Sequence, residues 1–543
     1  MVRYETLIWG GIKLNYENTR IKAGSAGCVL ANRLSENPNN TVLLLEAGDK
    51  DTNLWIHVPV GFTKTLNNPE VNWCFETEPE DNVSGRRIPI PRGRVLGGSS
   101  SINGMLYVRG QALDFDVWGQ LGNRGWSYSD ILPYFKKSEN FERGNDKFRG
   151  TDGLLNVADM YERHDLIDAF IDAGVELGYP RNPDYNGAKQ DGFGYYQITQ
   201  RNGRRESTAR AFLRPAKNRK NLTIESRAHV TKLVFNKKRA TGVHYSVDGI
   251  KKNADIDKEV IVSAGAVQSP QILELSGIGQ PQLLKSHGIN VEHELPGVGE
   301  NYRDHYAARM NWRLNKPISL NEETRGLSLV KEVFKYALTR RGALTWTAGV
   351  GHAFMRTRPE LETPDVQFFF VHGSFGSSKD RKLEKEPGMT LAVYQCRPES
   401  KGTIHIGGPN PFDAPKIRPN FLDNKLDQDT LIAGLHLCRS VGETEAMKQH
   451  ITHEMNPGSS VTTDEGMLQF ARDTGATTYH PMGTCKMGSD PMAVVDDRLR
   501  VHGIENVRVA DASIMPTMPS GNINAPVIMI AEKAADMIKE DNK

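Results

Sequence analysis

Cysteine is scarce and poorly placed for cross-linking. The 543-residue chain has five (Cys28, Cys74, Cys396, Cys438 and Cys485), an odd number with no CxxC pair. That excludes a dense disulfide framework and a cysteine-based zinc site, and it fits a reducing compartment. An excess of one charge is also missing: 68 Lys and Arg stand against 66 Asp and Glu. Net charge therefore gives no reason to expect nucleic acid or an anionic membrane as partner. No apolar run reaches the ~18 residues of a spanning helix, so no membrane span is expected. The N-terminus lacks a charged-then-apolar signal pattern, and Glu540-Asp541-Asn542-Lys543 carries no targeting or lipid signal. Repeats and low-complexity linkers are absent. The expectation is a soluble cytoplasmic enzyme of more than one compact unit.

Glycine, by contrast, is abundant, with 51 residues. Gly24-Ser25-Ala26-Gly27 opens a helical pattern, and Thr41-Val42-Leu43-Leu44-Leu45 follows as a buried strand ending in Glu46. This is the second half of a dinucleotide fingerprint. Gly24 and Gly27 let backbone approach a pyrophosphate, the helix N-terminus attracts its charge, and Glu46 accepts from a ribose hydroxyl. The first half is irregular. Lys22 stands where the fingerprint places its first glycine, after the polar run Asn15–Arg20. Further back, Tyr4–Trp9 reads as a first strand running into Gly10-Gly11. The expectation is that Ile12–Ala23 is an insertion into the phosphate loop, either a loop bulging outward or the product of an unspliced intron.

Two later stretches carry chemistry. In Arg92–Gly104, the small residues Gly97, Gly98 and Ser99 and the amide Asn103 leave space for a large planar group and expose backbone N–H groups. Near the C-terminus, Tyr479-His480-Pro481-Met482-Gly483-Thr484 and Pro519–Pro526 are Gly/Pro turns that fix side-chain directions. His480 titrates near neutral pH and is suited to take a proton from an alcohol. Asn524 cannot titrate but can hold the alcohol oxygen. Glu259–Ala266 reads as a buried strand into a small-residue turn, with Ala264 a candidate cofactor contact; close packing alone would explain the turn equally well.

The Arg92–Gly104 stretch through Tyr107, Gly110 and Asp116 resembles the first signature of the glucose–methanol–choline (GMC) oxidoreductases. Gly265–Gly279 resembles the second, and the His480 and Asn524 turns resemble the catalytic C-terminal block. The likeness runs from about Gly24 to the end and is strongest to the choline dehydrogenase-like branch. It implies an α/β (α+β) fold: a Rossmann-like FAD-binding domain (1–157, 203–303 and 467–543) and a substrate domain on an antiparallel sheet (158–202 and 304–466). It implies FAD as hydride acceptor, with Val230 near the adenine, Asp511 near the ribityl–pyrophosphate portion, and Pro526 leading into a helix aimed at the flavin ring. His305 is expected to be structural. Ile102 occupies the position where some relatives attach flavin through His, so FAD is expected to be non-covalent. The implied reaction is oxidation of a primary alcohol, choline being the first candidate, with oxygen or a quinone-type acceptor. Two alternatives remain: a lyase or photodecarboxylase on the same fold, with Cys396 as a candidate, or a non-catalytic relative with a disrupted phosphate loop.

Overall fold

The protein is described by a computed structural model covering residues 19–376 and 382–542. Val42–Leu45 is apolar at every position and buried at every position, as a strand covered on both faces must be. It belongs to a five-stranded parallel sheet in the order Leu222–Glu225, Val42–Leu45, Thr19–Lys22, Val260–Val262, Val507–Val509. Helix Ser25–Leu34 follows the central strand directly. The closing helix Asn524–Asp541 packs against it and buries Ile528, Met529, Ile530 and Ala531 completely.

The central strand corrects the insertion reading. Thr19–Lys22 pairs with Val42–Leu45 on one side, and Arg20 and Ile21 pair with Val260 and Ile261 on the other. A ladder is made by backbone N–H and C=O groups, so a polar four-residue segment of the right length before the turn can fill the slot. The end of the supposed insertion is therefore strand, not a loop bulging outward. The expected strand Tyr4–Trp9 lies outside the described residues.

A second sheet is antiparallel and seven-stranded. Its main path runs Ile451–Asn456, Tyr306–Leu314, Gly388–Gln395, Val366–Val371, Gly351–Met355, Gly192–Tyr195, and Ala476–Thr477 pairs beside Tyr306–Leu314. It has its own core, including Phe170, Trp312, Phe354, Phe368 and Leu391, separate from the core around the parallel sheet. The two sheets meet at one large cavity.

Candidate active site

The cavity, about 320 Å³, is walled on one side by the C-terminal ends of the parallel strands and on the other by the antiparallel sheet. Its cofactor-side wall contains Gly24, Ser25, Glu46, Gly98, Ser99, Asn103, Ala264, Gly265 and Asp511. Seven of the predicted cofactor residues are thus brought together. Gly27 is buried inside the first helix, and Val230 lies in the Ala228–Asn236 strand beside a register break. Gly97 sits just behind the wall, and Pro526 is buried in the first turn of the closing helix.

Close backbone approach explains the glycines. A Cβ on Gly98, where φ is +53°, would stand 2.8 Å from the Cα of Gly24. The Gly97 N–H donates to the Ala23 carbonyl at 2.9 Å. The Gly97–Ser101 loop is thereby clamped onto the turn that opens the first helix. That helix has no side-chain cap and no acid in its first turn, so its free N–H groups and positive end face the cavity uncompensated. Glu46, buried at the end of the neighbouring strand, accepts from the Gly48 N–H at 2.8 Å. Asp511 accepts from the Gly265 N–H, the Ser269 hydroxyl and the Ser513 N–H at 2.8, 2.6 and 2.8 Å. A glycine cradle, an open helix N-terminus and a strand-end acid fit a dinucleotide.

His480 lies in the cavity wall, 7 % exposed. Its protonation pattern follows from its neighbours. The His305 Nε2 is 2.8 Å from the Cys396 carbonyl, which only accepts, so Nε2 carries the hydrogen. Neutral His305 then has a bare Nδ1, and this lies 2.9 Å from the Nδ1 of His480. His480 must donate there. Thr478 agrees: its hydroxyl donates to the His305 carbonyl at 3.2 Å, leaving lone pairs for the same Nδ1–H at 2.9 Å. The Nε2 of His480 is therefore a lone pair. The backbone is pinned as well, because the His480 N–H donates to Asp304 at 2.8 Å.

Burial drives the titration of this group. It pushes His305 down to about 3 and His480 well below the ordinary imidazole value, with the His305 and Arg92 charges adding to the effect on His480. Burial pushes Asp304 up to about 6, although hydrogen bonds from Thr477, the His480 N–H and Tyr302, and the nearby Arg92 charge, oppose it. Both histidines are neutral at pH 7.

The amide facing His480 is Asn522. Its Nδ2 lies 3.1 Å from the Nε2 of His480. The antiparallel sheet orients it: Tyr394 and Gln367 are opposite each other on adjacent strands, the Tyr394 hydroxyl donates to Gln367 Oε1, and Gln367 Nε2 donates to Asn522 Oδ1 at 3.3 Å. Asn524 lines the same cavity but is the first residue of the closing helix, and its Oδ1 accepts from the Ser25 hydroxyl at 2.9 Å. Sequence reading selected the second asparagine of Asn522-Ile523-Asn524 and left His305 with a structural role. The alternation Asn-x-Asn is the available signal; which amide reaches His480 depends on where the helix starts. Arg92, whose Nη2 donates to the Tyr479 carbonyl at 2.6 Å, was part of the recognised signature but was not singled out.

The far wall is the antiparallel sheet. Arg309, Ala392 and Phe369 stand in one cross-strand row and line the cavity, with Thr390 and Val371 in the next. Among the described residues, the acids in the wall are Glu46 and Asp511, both on the cofactor side. Cys396 is fully buried and does not line the cavity.

A parallel dinucleotide fold joined through one cavity to a neutral, oriented imidazole is the arrangement of a dinucleotide-dependent oxidoreductase. The chain belongs to the GMC oxidoreductase family, whose N-terminal and C-terminal domains match residues 16–307 and 398–531. It is 42% identical over 530 residues to an alcohol dehydrogenase [acceptor] of Pseudomonas putida, covering 96% of this chain and 95% of that one. It is 41% identical over 528 residues to an oxygen-dependent choline dehydrogenase of Vibrio vulnificus, covering 96% and 94%. The solved formate oxidase of Aspergillus oryzae, studied for the modification of its FAD, superposes with a TM-score of 0.90 at 27% identity, covering 97% and 99%. The protein is thus an FAD-dependent enzyme acting on CH–OH donors.

Proposed function

We propose that the enzyme oxidises a primary alcohol to the aldehyde, with His480 as the base and Asn522 holding the alcohol oxygen. The observation that carries this is the bare Nε2 of His480 in the cavity wall, with the Asn522 amide 3.1 Å away. His480 receives the hydroxyl proton on Nε2. Its Nδ1–H stays bonded to His305 and Thr478, so the imidazolium that forms keeps both donors directed. Asn522 donates to the same oxygen and steadies the charge that develops there. FAD, when bound, supplies the acceptor for the hydride leaving the carbinol carbon.

Gly24, Gly98, Ser99, Asn103, Ala264 and Asp511 are proposed to hold the cofactor along the wall, and Glu46 to hold its ribose. Gly27, Gly97, Val230 and Pro526 support that wall from behind. Ile102 lines the cavity with a hydrocarbon side chain that cannot bond to a flavin, which supports non-covalent binding. The two separate cores support a two-domain division close to 1–157, 203–303 and 467–543 against 158–202 and 304–466.

The test is anaerobic titration of the holoenzyme with straight-chain primary alcohols and with choline, following the visible flavin band. The expected result is bleaching of the flavin band by at least one of these primary alcohols. No reduction by any of them would refute the reading.

A further inference from the structure

The helix Gly326–Thr339 is amphipathic the wrong way round for a helix that merely caps a core. Only Tyr336 of its residues is buried, and its hydroxyl donates to the Gly203 carbonyl at 3.0 Å. Glu332, half-buried one turn earlier, accepts from the Ala343 N–H at 2.6 Å. The polar stripe therefore faces the protein. At about 100° per residue, Leu327, Val330, Phe334, Ala337 and Leu338 fall in one arc on the opposite side, and Val333 widens it. Leu327, Phe334 and Leu338 are 89 %, 63 % and 84 % exposed. Lys331 and Lys335 border the arc on one side, and Arg340 and Arg341 close its end.

We infer that this face lies on an anionic lipid bilayer. An exposed apolar stripe flanked by Lys and Arg is the design of an in-plane interfacial helix, in which side chains enter the acyl boundary and cations meet headgroups. The balanced net charge conceals this local cluster. From residue 327 to 341 the single acid is Glu332, which is turned inward; Lys335 also approaches Glu162 at 3.5 Å. A second copy is a poorer occupant, because a twofold contact through this face would set the same four cations against one another. No helix among the described residues is long and apolar enough to cross a membrane, so the contact is in-plane. The face is also placed for function. The next turn, Ala343–Thr345, packs on Pro59–Gly61, and the residues that follow the latter, Phe62 and exposed Thr63, line the cavity. Trp55, 41 % exposed, belongs to the same neighbourhood.

The experiment is flotation of the FAD-loaded enzyme with phosphatidylcholine vesicles, with and without phosphatidylglycerol, alongside light scattering. The comparison is the triple variant Leu327→Ser, Phe334→Ser, Leu338→Ser and the double variant Lys331→Glu, Lys335→Glu. These side chains are exposed, so both variants are expected to keep their FAD and their turnover with a soluble dye. The expected result is flotation with the anionic vesicles only, weakened by salt and reduced at least tenfold in either variant. Absence of flotation, or equal flotation of wild type and triple variant, overturns the inference. So does a wild-type dimer that the triple variant converts to monomer without any vesicle binding.

Discussion

Asn522 and Asn524 are two residues apart, line the same cavity, and are assigned different work by their contacts. Replacing each by alanine separates the two. Asn522→Ala removes the amide 3.1 Å from the Nε2 that takes the proton. A hydrogen bond to a group that becomes charged contributes about 1.5–3 kcal/mol. If that interaction is made only as charge develops on the alcohol oxygen, its loss slows the reductive step by about 10- to 150-fold, since about 1.4 kcal/mol is one decade. FAD affinity should change little, because Asn522 is oriented from the substrate sheet through Gln367. Asn524→Ala removes the acceptor of the Ser25 hydroxyl, where the first and closing helices begin. Its cost is one partly buried hydrogen bond, about 1 kcal/mol, falling on cofactor affinity and stability. The assay is anaerobic rapid mixing of each holoenzyme with alcohol, following flavin absorbance, with FAD affinity measured separately. Equal slowing by both variants with unchanged FAD affinity would refute this division of labour.

Other outcomes follow from the same geometry. Gly98→Ala should weaken FAD binding at least tenfold, because the added Cβ meets Gly24 at 2.8 Å and a φ of +53° disfavours it; this is read by titrating the apoprotein with FAD. His405 lies between Glu274 and Glu300 at 2.6 and 3.2 Å. Burial pulls its value down, but the hydrogen bonds and charges of the two acids outweigh that and raise it to about 9. The folded state therefore holds this proton more tightly than the unfolded chain. The resulting stabilisation, on the order of 3 kcal/mol, is complete below the unfolded value near 6.5 and is lost as pH rises through 9. Urea midpoints at pH 7 and pH 10 should diverge in the wild type and converge in His405→Asn; parallel loss in both would count against the pair.

The residues that declared themselves in the sequence are those whose chemistry is local. Val42–Leu45 is a four-residue apolar run, and Gly24, Glu46 and Gly98 sit at turns whose composition alone marks them. Thr19–Lys22 did not, because its place in the centre of the sheet is a matter of backbone pairing with one strand more than 200 residues away as well as with the next one. The roles of His305 and Gln367 depend on contacts at long sequence separation: His305 reaches His480 across 175 positions, and Gln367 reaches Asn522 across 155. No periodicity records such a contact. Arg309 reads as one alternate residue of a strand, and its meaning appears only once Ala392 and Phe369 stand beside it in the cavity wall. The outward apolar face of Gly326–Thr339 has an ordinary amphipathic pattern; only the structure shows that its polar stripe is the side turned inward.

His480 carries the central claim, and His480→Ala tests it most directly. Two quantities are measured on the purified variant: bound FAD from its visible spectrum, and the rate of flavin reduction by alcohol without oxygen. The account predicts FAD content within twofold of wild type and reduction slowed by about 10²–10⁴-fold, the range for loss of a general base. Reduction at close to the wild-type rate would contradict it.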